Sequence, residues 1–204
     1  MTTMLALREV HYPKIDILIF FAIMHCMRLS QDFYCRAPMD VARDLVGAYL
    51  CRVTDDGKLI RARIAELELY TEQERGCHAY AGPTARNDAM FMRGGHAYVY
   101  LCYGLHNMLN IVVGESGYAA AVLIRALELP SCTGPGRLTK VLGVSRADNK
   151  MDLTSPNSTM WIEARDTTPK IISGPRIGID YAGRDAELPW RFGIKDSCFI
   201  SRPF

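Results

Sequence analysis

Hydrophobic and polar positions change period along the chain. Pro38 to Leu50 carries Val41, Ala42, Leu45, Val46, Tyr49 and Leu50 at helical spacing, with Asp40 placed as a cap and Arg43 and Asp44 turned outward. That spacing predicts a packing helix. The period then falls to two. Cys51 to Asp55 reads as a strand, Asp55-Asp56-Gly57-Lys58 as a turn, and Leu59 to Tyr70 (LIRARIAELELY) as the returning strand. Unbroken alternation puts Ile64, Glu66, Glu68 and Tyr70 on one face and Ala65, Leu67 and Leu69 on the other. Thr71 to Arg93 is polar and broken by Gly76, Gly82 and Pro83, which predicts a long loop with one short helical turn. Two strand-forming runs follow, His96 to Tyr103 and Asn107 to Val113, around Gly104. They predict a β-hairpin with the aromatic Tyr103 at its tip.

The remainder is shorter in rhythm. Gly114-Glu115-Ser116-Gly117 is a turn, and Tyr118 to Leu127 is an apolar strand interrupted by Arg125. A charge inside such a run is paired or faces a cleft. Thr133-Gly134-Pro135-Gly136 precedes a helix with Leu138, Val141 and Leu142; the free N–H groups at such a start are a generic anion site, without the spacing of a P-loop. Short strands are expected at Met160 to Glu163, Pro175 to Ile179 and Trp190 to Ile194. Repeats and linkers are absent from the sequence. The fold expected is mixed α/β (α+β): a single domain around a curved, largely antiparallel sheet with surrounding helices and a protruding hairpin.

The amino end stands apart. Ile15 to Met27 is strongly apolar but short of the ~18 residues a membrane helix needs, and Asp16 interrupts it. No small-residue cleavage site follows. Residues 1–28 are read as an extension outside the functional domain, residues 29–204 as that domain. The net charge of +2 neither announces nor excludes a nucleic-acid partner; Arg125, Arg137, Lys140, Arg146 and Lys150 make a modest local patch. Seven scattered cysteines without a CxxC pair point to free thiols in a reducing, intracellular compartment, with Cys51 and Cys102 in the core.

For chemistry, Glu66, Glu68 and Tyr70 on one strand face read either as a solvated face or as a rigidly held general base beside an aromatic. His78 is a hydrogen-bonded structural residue or a site residue. Arg86 and Asn87 suit either phosphate contacts or a solvated turn.

In order and spacing, VARDLVGAYL, ELELY, CHAY, TARN, MF, YVYLCYG with Asn110, VLIRALE, GPGRL, MDL and GPRIGI resemble the alkyladenine (3-methyladenine) DNA glycosylase family, from about Leu29 to the carboxyl end. The resemblance implies a monofunctional enzyme with no cofactor and no metal, whose hairpin probes double-stranded DNA containing damaged purines. It implies that Glu68 is the water-activating carboxylate and that Arg125 stands near the catalytic water and a phosphate. Tyr70, His78 and Tyr100 match the pocket around the extruded base, and Asn110 matches a residue that discourages guanine. Tyr103 matches the tyrosine that fills the gap in the helix, with Leu105 beside it. Arg86, Asn87, Gly136 and Arg137 are backbone-contact candidates. It further implies a monomer that does not engage membranes, nucleoid-associated in a prokaryote. Three positions depart from the family pattern: Ala85 replaces a common Pro, Leu105 a common Met, and His106 a common aromatic.

The physics is consistent with that assignment. Extruding a base costs a few kcal/mol, least for damaged bases, and an inserted wedge offsets part of the cost. An electron-poor alkylpurine gains from aromatic stacking. No lysine matches a nucleophile position, so neither a covalent imine nor strand cleavage is expected. The alternatives are a non-catalytic damage-sensing module and, ranked last, an O-glycoside hydrolase using Glu66 and Glu68. Two acids on one strand face cannot flank a scissile bond.

Overall fold

The computed structural model describes residues 28–204. The amino-terminal extension falls outside the described residues except for Arg28, which forms an antiparallel bridge with Glu163 and lies over the Trp161 ring.

Among the described residues, three short α-helices and eight strands make the fold. The helices are α1 (Gln31–Tyr34), α2 (Pro38–Leu45) and α3 (Pro135–Val141). The strands are β1 (Tyr49–Val53), β2 (Leu59–Thr71), β3 (Ala97–Cys102), β4 (His106–Val112), β5 (Ala120–Leu127), β6 (Met160–Glu163), β7 (Ile171–Gly174) and β8 (Arg191–Ile194). All pairings are antiparallel, in the order β3-β4-β5-β2-β1-β6, with β8 on β2 and β7 on β8. The expected sheet-centred α+β domain is what forms. No described helix is long and apolar enough to cross a membrane.

Four local expectations are corrected. The helix begun at Pro38 ends at Leu45 rather than Leu50, because Val46 is extended and Gly47 turns at φ +85°. A Cβ on Gly47 would also come within 3.0 Å of Pro169. Asp40 is not the cap: Ala37 holds that position, and Asp40 sits in the first turn, where its charge suits the helix dipole. Pro175 to Ile179 is irregular, and the strand lies just before it, in β7. Cys102 is half-buried near the hairpin tip rather than in the core.

The most consequential difference lies in β2. Register shifts on either side of Glu66 mark a bulge. Ala62 and Ile64 therefore share the core with Leu67 and Leu69, and Ile64 is not on the face of Glu66, Glu68 and Tyr70. An extra residue reverses the alternation. Before the bulge β2 pairs with β1; after it, β2 lies between β5 and β8.

Past that point alternation is regular across four strands. Ala97, Val99, Leu109, Ile111, Val122, Ile124, Leu67 and Leu69 face the main core with α2 and α3. Tyr98, Val112 and Ala121 belong to a second cluster, closed by Cys77, Ala79, Ala89 and Met90 of the long loop. That loop contains the one expected helical turn, Asp88–Phe91. The second face carries the site.

Candidate active site

A single register row crosses the second face: Tyr98, Asn110, Leu123, Glu68 and Arg191 stand opposite one another on β3, β4, β5, β2 and β8. A cleft of about 560 Å³ lies over this row, lined by Tyr70, His78, Tyr98, Tyr100, Asn110 and Arg125, among others. Ile177 and Tyr181 enter from the opposite loop, and Tyr103 from the hairpin.

Glu68 is wholly buried, one layer beneath the cleft floor. One carboxylate oxygen, Oε2, accepts from the Tyr70 hydroxyl at 2.8 Å and Arg125 Nη1 at 3.2 Å; Oε1 accepts from the Ile177 N–H at 2.7 Å. All three donors line the cleft. A carboxylate offers about four lone-pair sites, so the three protein donors leave one unfilled. Burial pushes the Glu68 carboxyl above its ordinary 4.5, while Arg125, the Ile177 N–H and Tyr70 pull it part of the way back. The carboxyl is thus a stronger base than an exposed glutamate.

Glu66 is equally buried and differently engaged. It accepts from Arg125 Nε at 3.0 Å, Arg191 Nη1 at 3.2 Å and the Ser201 N–H. Two carboxylates and two guanidiniums form a closed group. The solvated-face reading of β2 is therefore wrong for both acids. Arg125 belongs to this group and not to a surface patch. Lys150 is bridged to Asp88, which leaves Arg137, Lys140 and Arg146 as the exposed cations of that stretch with no ion pair among the described residues.

Aromatics wall the cleft. The Tyr70 ring has the Arg176 guanidinium 4.7 Å from its centre, and Arg176 is itself held by Glu74 in a two-pronged buried pair at 2.6 and 2.8 Å. His78 Nδ1 lies 3.0 Å from the Tyr98 hydroxyl, and its ring meets Tyr100 edge-on at 4.6 Å. Burial and then the Arg86 charge lower the His78 pKa below 6.5, so the imidazole is neutral at pH 7. Burial raises the Tyr98 hydroxyl to about 12. The Asn110 amide donates to the Tyr98 and Met108 carbonyls, leaving its oxygen as an acceptor for the cleft. Arg86 lies 5.6 Å from the Tyr100 ring at the mouth.

The hairpin tip is the opposite of the floor. Tyr103 (φ +49°) and Gly104 (φ +70°) form the turn, closed by the Leu105 N–H on the Cys102 carbonyl. Tyr103 is 92% exposed and Leu105 77%. Left-handed backbone costs a non-glycine residue about 1–2 kcal/mol. Residues held in such sparsely populated backbone regions cluster at functional sites. The hairpin base is fixed: Thr139 Oγ1 donates to the Asn107 carbonyl, and a Cβ on Gly136 would come within 2.8 Å of the His106 ring. Gly136 is thus needed for close packing of α3 on the hairpin.

Of the expected site residues, the fold brings together Glu68, Arg125, Tyr70, His78, Tyr100, Asn110, Tyr103 and Arg86. Leu105 stands on the tip beside Tyr103, and Arg137 is exposed on α3, beyond the cleft wall. Asn87 is not available to a phosphate. It is buried, accepts from the Thr84 N–H, and donates to the carbonyls of His78 and Gly82, so it staples the loop that presents His78. Sequence reasoning missed Arg191, Glu74, Arg176 and the Ile177 N–H. A backbone donor has no side-chain signature, and ion partners more than a hundred residues apart leave no local pattern.

The model of the family described as methylpurine-DNA glycosylase matches residues 32–133 and 130–198. Three similar proteins each carry the name "Putative 3-methyladenine DNA glycosylase". The protein of Methanocella arvoryzae is 42% identical over 193 residues, covering 85% of this chain and 96% of its own. That of Rhodopseudomonas palustris is 41% identical, covering 86% and 89%. That of Myxococcus xanthus is 43% identical, covering 85% and 93%.

Proposed function

This chain belongs to the methylpurine-DNA glycosylase family, a family of N-glycosyl-bond hydrolases acting on DNA, and we propose that it releases alkylated or deaminated purines of the 3-methyladenine class from duplex DNA by a Glu68-activated water. The observation that carries this reading is the Glu68 carboxylate, held by three donors directly under an aromatic-walled cleft. The cleft volume is that of a small-ligand site, which runs about 300–1,000 Å³.

In this reading the damaged nucleotide rotates out of the helix into the cleft, and Tyr103 occupies the gap. The purine lies among Tyr70, His78 and Tyr100. A cationic N-alkylpurine stacks favourably there and meets no positive imidazole. Water on the free lone pair of Glu68 attacks C1′ of the sugar. The C1′–N bond breaks, the purine leaves with the bonding electrons, and the water proton passes to the Glu68 carboxylate. Arg125 and the Ile177 N–H keep that carboxylate aimed. The product is an abasic site. No lysine lines the cleft among the described residues, which supports hydrolysis without an imine and without strand cleavage. The proposal includes a monomer working inside the cell, where the six described cysteines stay free thiols.

Glu68→Gln tests the assignment. Base release from methylated duplex DNA is expected to fall by about 10²–10⁴-fold while binding to that duplex changes little. Unchanged release refutes the role of Glu68.

A further inference from the structure

Behind Glu68 the chain doubles back. Ser201 to Phe204 lies beyond the residues matched by the family model, and it folds onto the buried charge group. The Ser201 N–H donates to Glu66, and Ser201 Oγ accepts from Arg125 Nη2 at 3.2 Å. Arg191 donates to the carbonyls of Arg202 and Pro203, both at 2.9 Å, while its Nε donates to the Pro175 carbonyl at 2.9 Å. The Phe204 ring lies 3.8 Å from the Arg191 guanidinium carbon. Its seat is built for it: a Cβ on Gly193 would come within 2.9 Å of both Phe204 and Ile200, and one on Gly174 within 3.2 Å of Phe204.

These contacts converge on two of the three donors that hold the catalytic carboxylate, Arg125 and the Ile177 N–H. Ser201 and Glu66 fix Arg125, whose other nitrogen holds Glu68. Arg191 fixes Pro175, two residues before the Ile177 N–H that holds the other oxygen of Glu68. We propose that Ser201–Phe204 is a latch that positions Glu68 for base release, acting through Arg125 and through the Pro175–Ile177 backbone. The latch residues touch no substrate. They are positioning residues, and the proposal rests on Glu68 being the base.

The test compares the full chain with Ser201→Ala, Phe204→Ala and Gly193→Ala, the last placing a methyl group in the Phe204 seat. Single-turnover release of methylpurine from methylated duplex DNA is followed from pH 4 to 9, with binding to the same DNA and thermal stability measured alongside. Small misplacements of a reacting group cost up to ~10²-fold, so release by Phe204→Ala and Gly193→Ala is expected to fall about tenfold or more with binding unchanged. Loosening Arg125 removes the charge that holds the Glu68 carboxyl down, so the acid limb is expected to move up by roughly half a pH unit or more. Ser201→Ala, which removes the tail's side-chain contact with Arg125, gives a shift in the same direction. A lower melting temperature with rate and acid limb unmoved shows a purely structural tail and overturns the proposal. Glu68→Gln, run in parallel, separates the two failures: if it stays active, the reading of Glu68 falls and the latch role with it.

Discussion

The floor of the cleft and the tip of the hairpin are built on opposite principles. At and just beneath the floor, Glu66, Glu68, Arg125 and Arg191 are all buried, and both carboxylates are held by three protein donors each. At the tip, Tyr103 is almost fully exposed on a left-handed backbone, and a Cβ on Gly104 would meet nothing within 4 Å. The floor is satisfied without a partner; the tip is not. A reaction centre must be preorganised before substrate arrives. Under the proposed function, a wedge at the tip finds its contacts in the substrate.

The comparison can be broken most severely at Glu66. Glu66→Ala leaves two buried guanidiniums short of countercharge, and breaking such a pair costs about 3–5 kcal/mol. Chemical denaturation is expected to show that loss; a cost below about 1 kcal/mol would mean the group is solvated like a surface pair. At the other end, Tyr103→Ala is expected to weaken binding to damaged duplex by about tenfold, the scale of one stacked aromatic. It should leave binding to damaged single strands unchanged, as a competition titration against both would show. Equal loss on both substrates would contradict insertion into a gap.

Two smaller effects sharpen the contrast. Base release is expected to be full where Glu68 is ionised and to be lost as pH falls through a midpoint above 4.5, because burial raises that carboxyl. The His78 imidazole, already lowered, should add no loss between pH 7 and 8. Tyr103→Asn is expected to leave the melting temperature unchanged or raise it by a few degrees, since Asn tolerates the left-handed region. A clear fall in melting temperature would show that Tyr103 supports the fold.

Much of this was legible in the sequence. The two-residue period of ELELY placed Glu68 and Tyr70 on one face, and the runs around Gly104 gave the hairpin and its tip. The charge in VLIRALE marked Arg125 as paired or facing a cleft. The bulge at Glu66 was not legible, because alternation looks unbroken when the inserted residue is itself apolar, as Ala65 is. Nor could Asn87 be told apart from a phosphate contact, since a loop staple and a surface amide share the same local context. The latch was hidden for a different reason: Ser201, Arg202 and Pro203 act mainly through backbone atoms, and Glu66 lies 135 residues from Ser201.

The most direct test of the central claim is base release by the unaltered protein. Methylated duplex DNA is incubated with it in EDTA, and the products are examined for free purine and for strand breaks with and without alkali. The account predicts free methylpurine and abasic sites that break only under alkali. Duplex binding without any base release would contradict it and leave a damage-sensing module in its place.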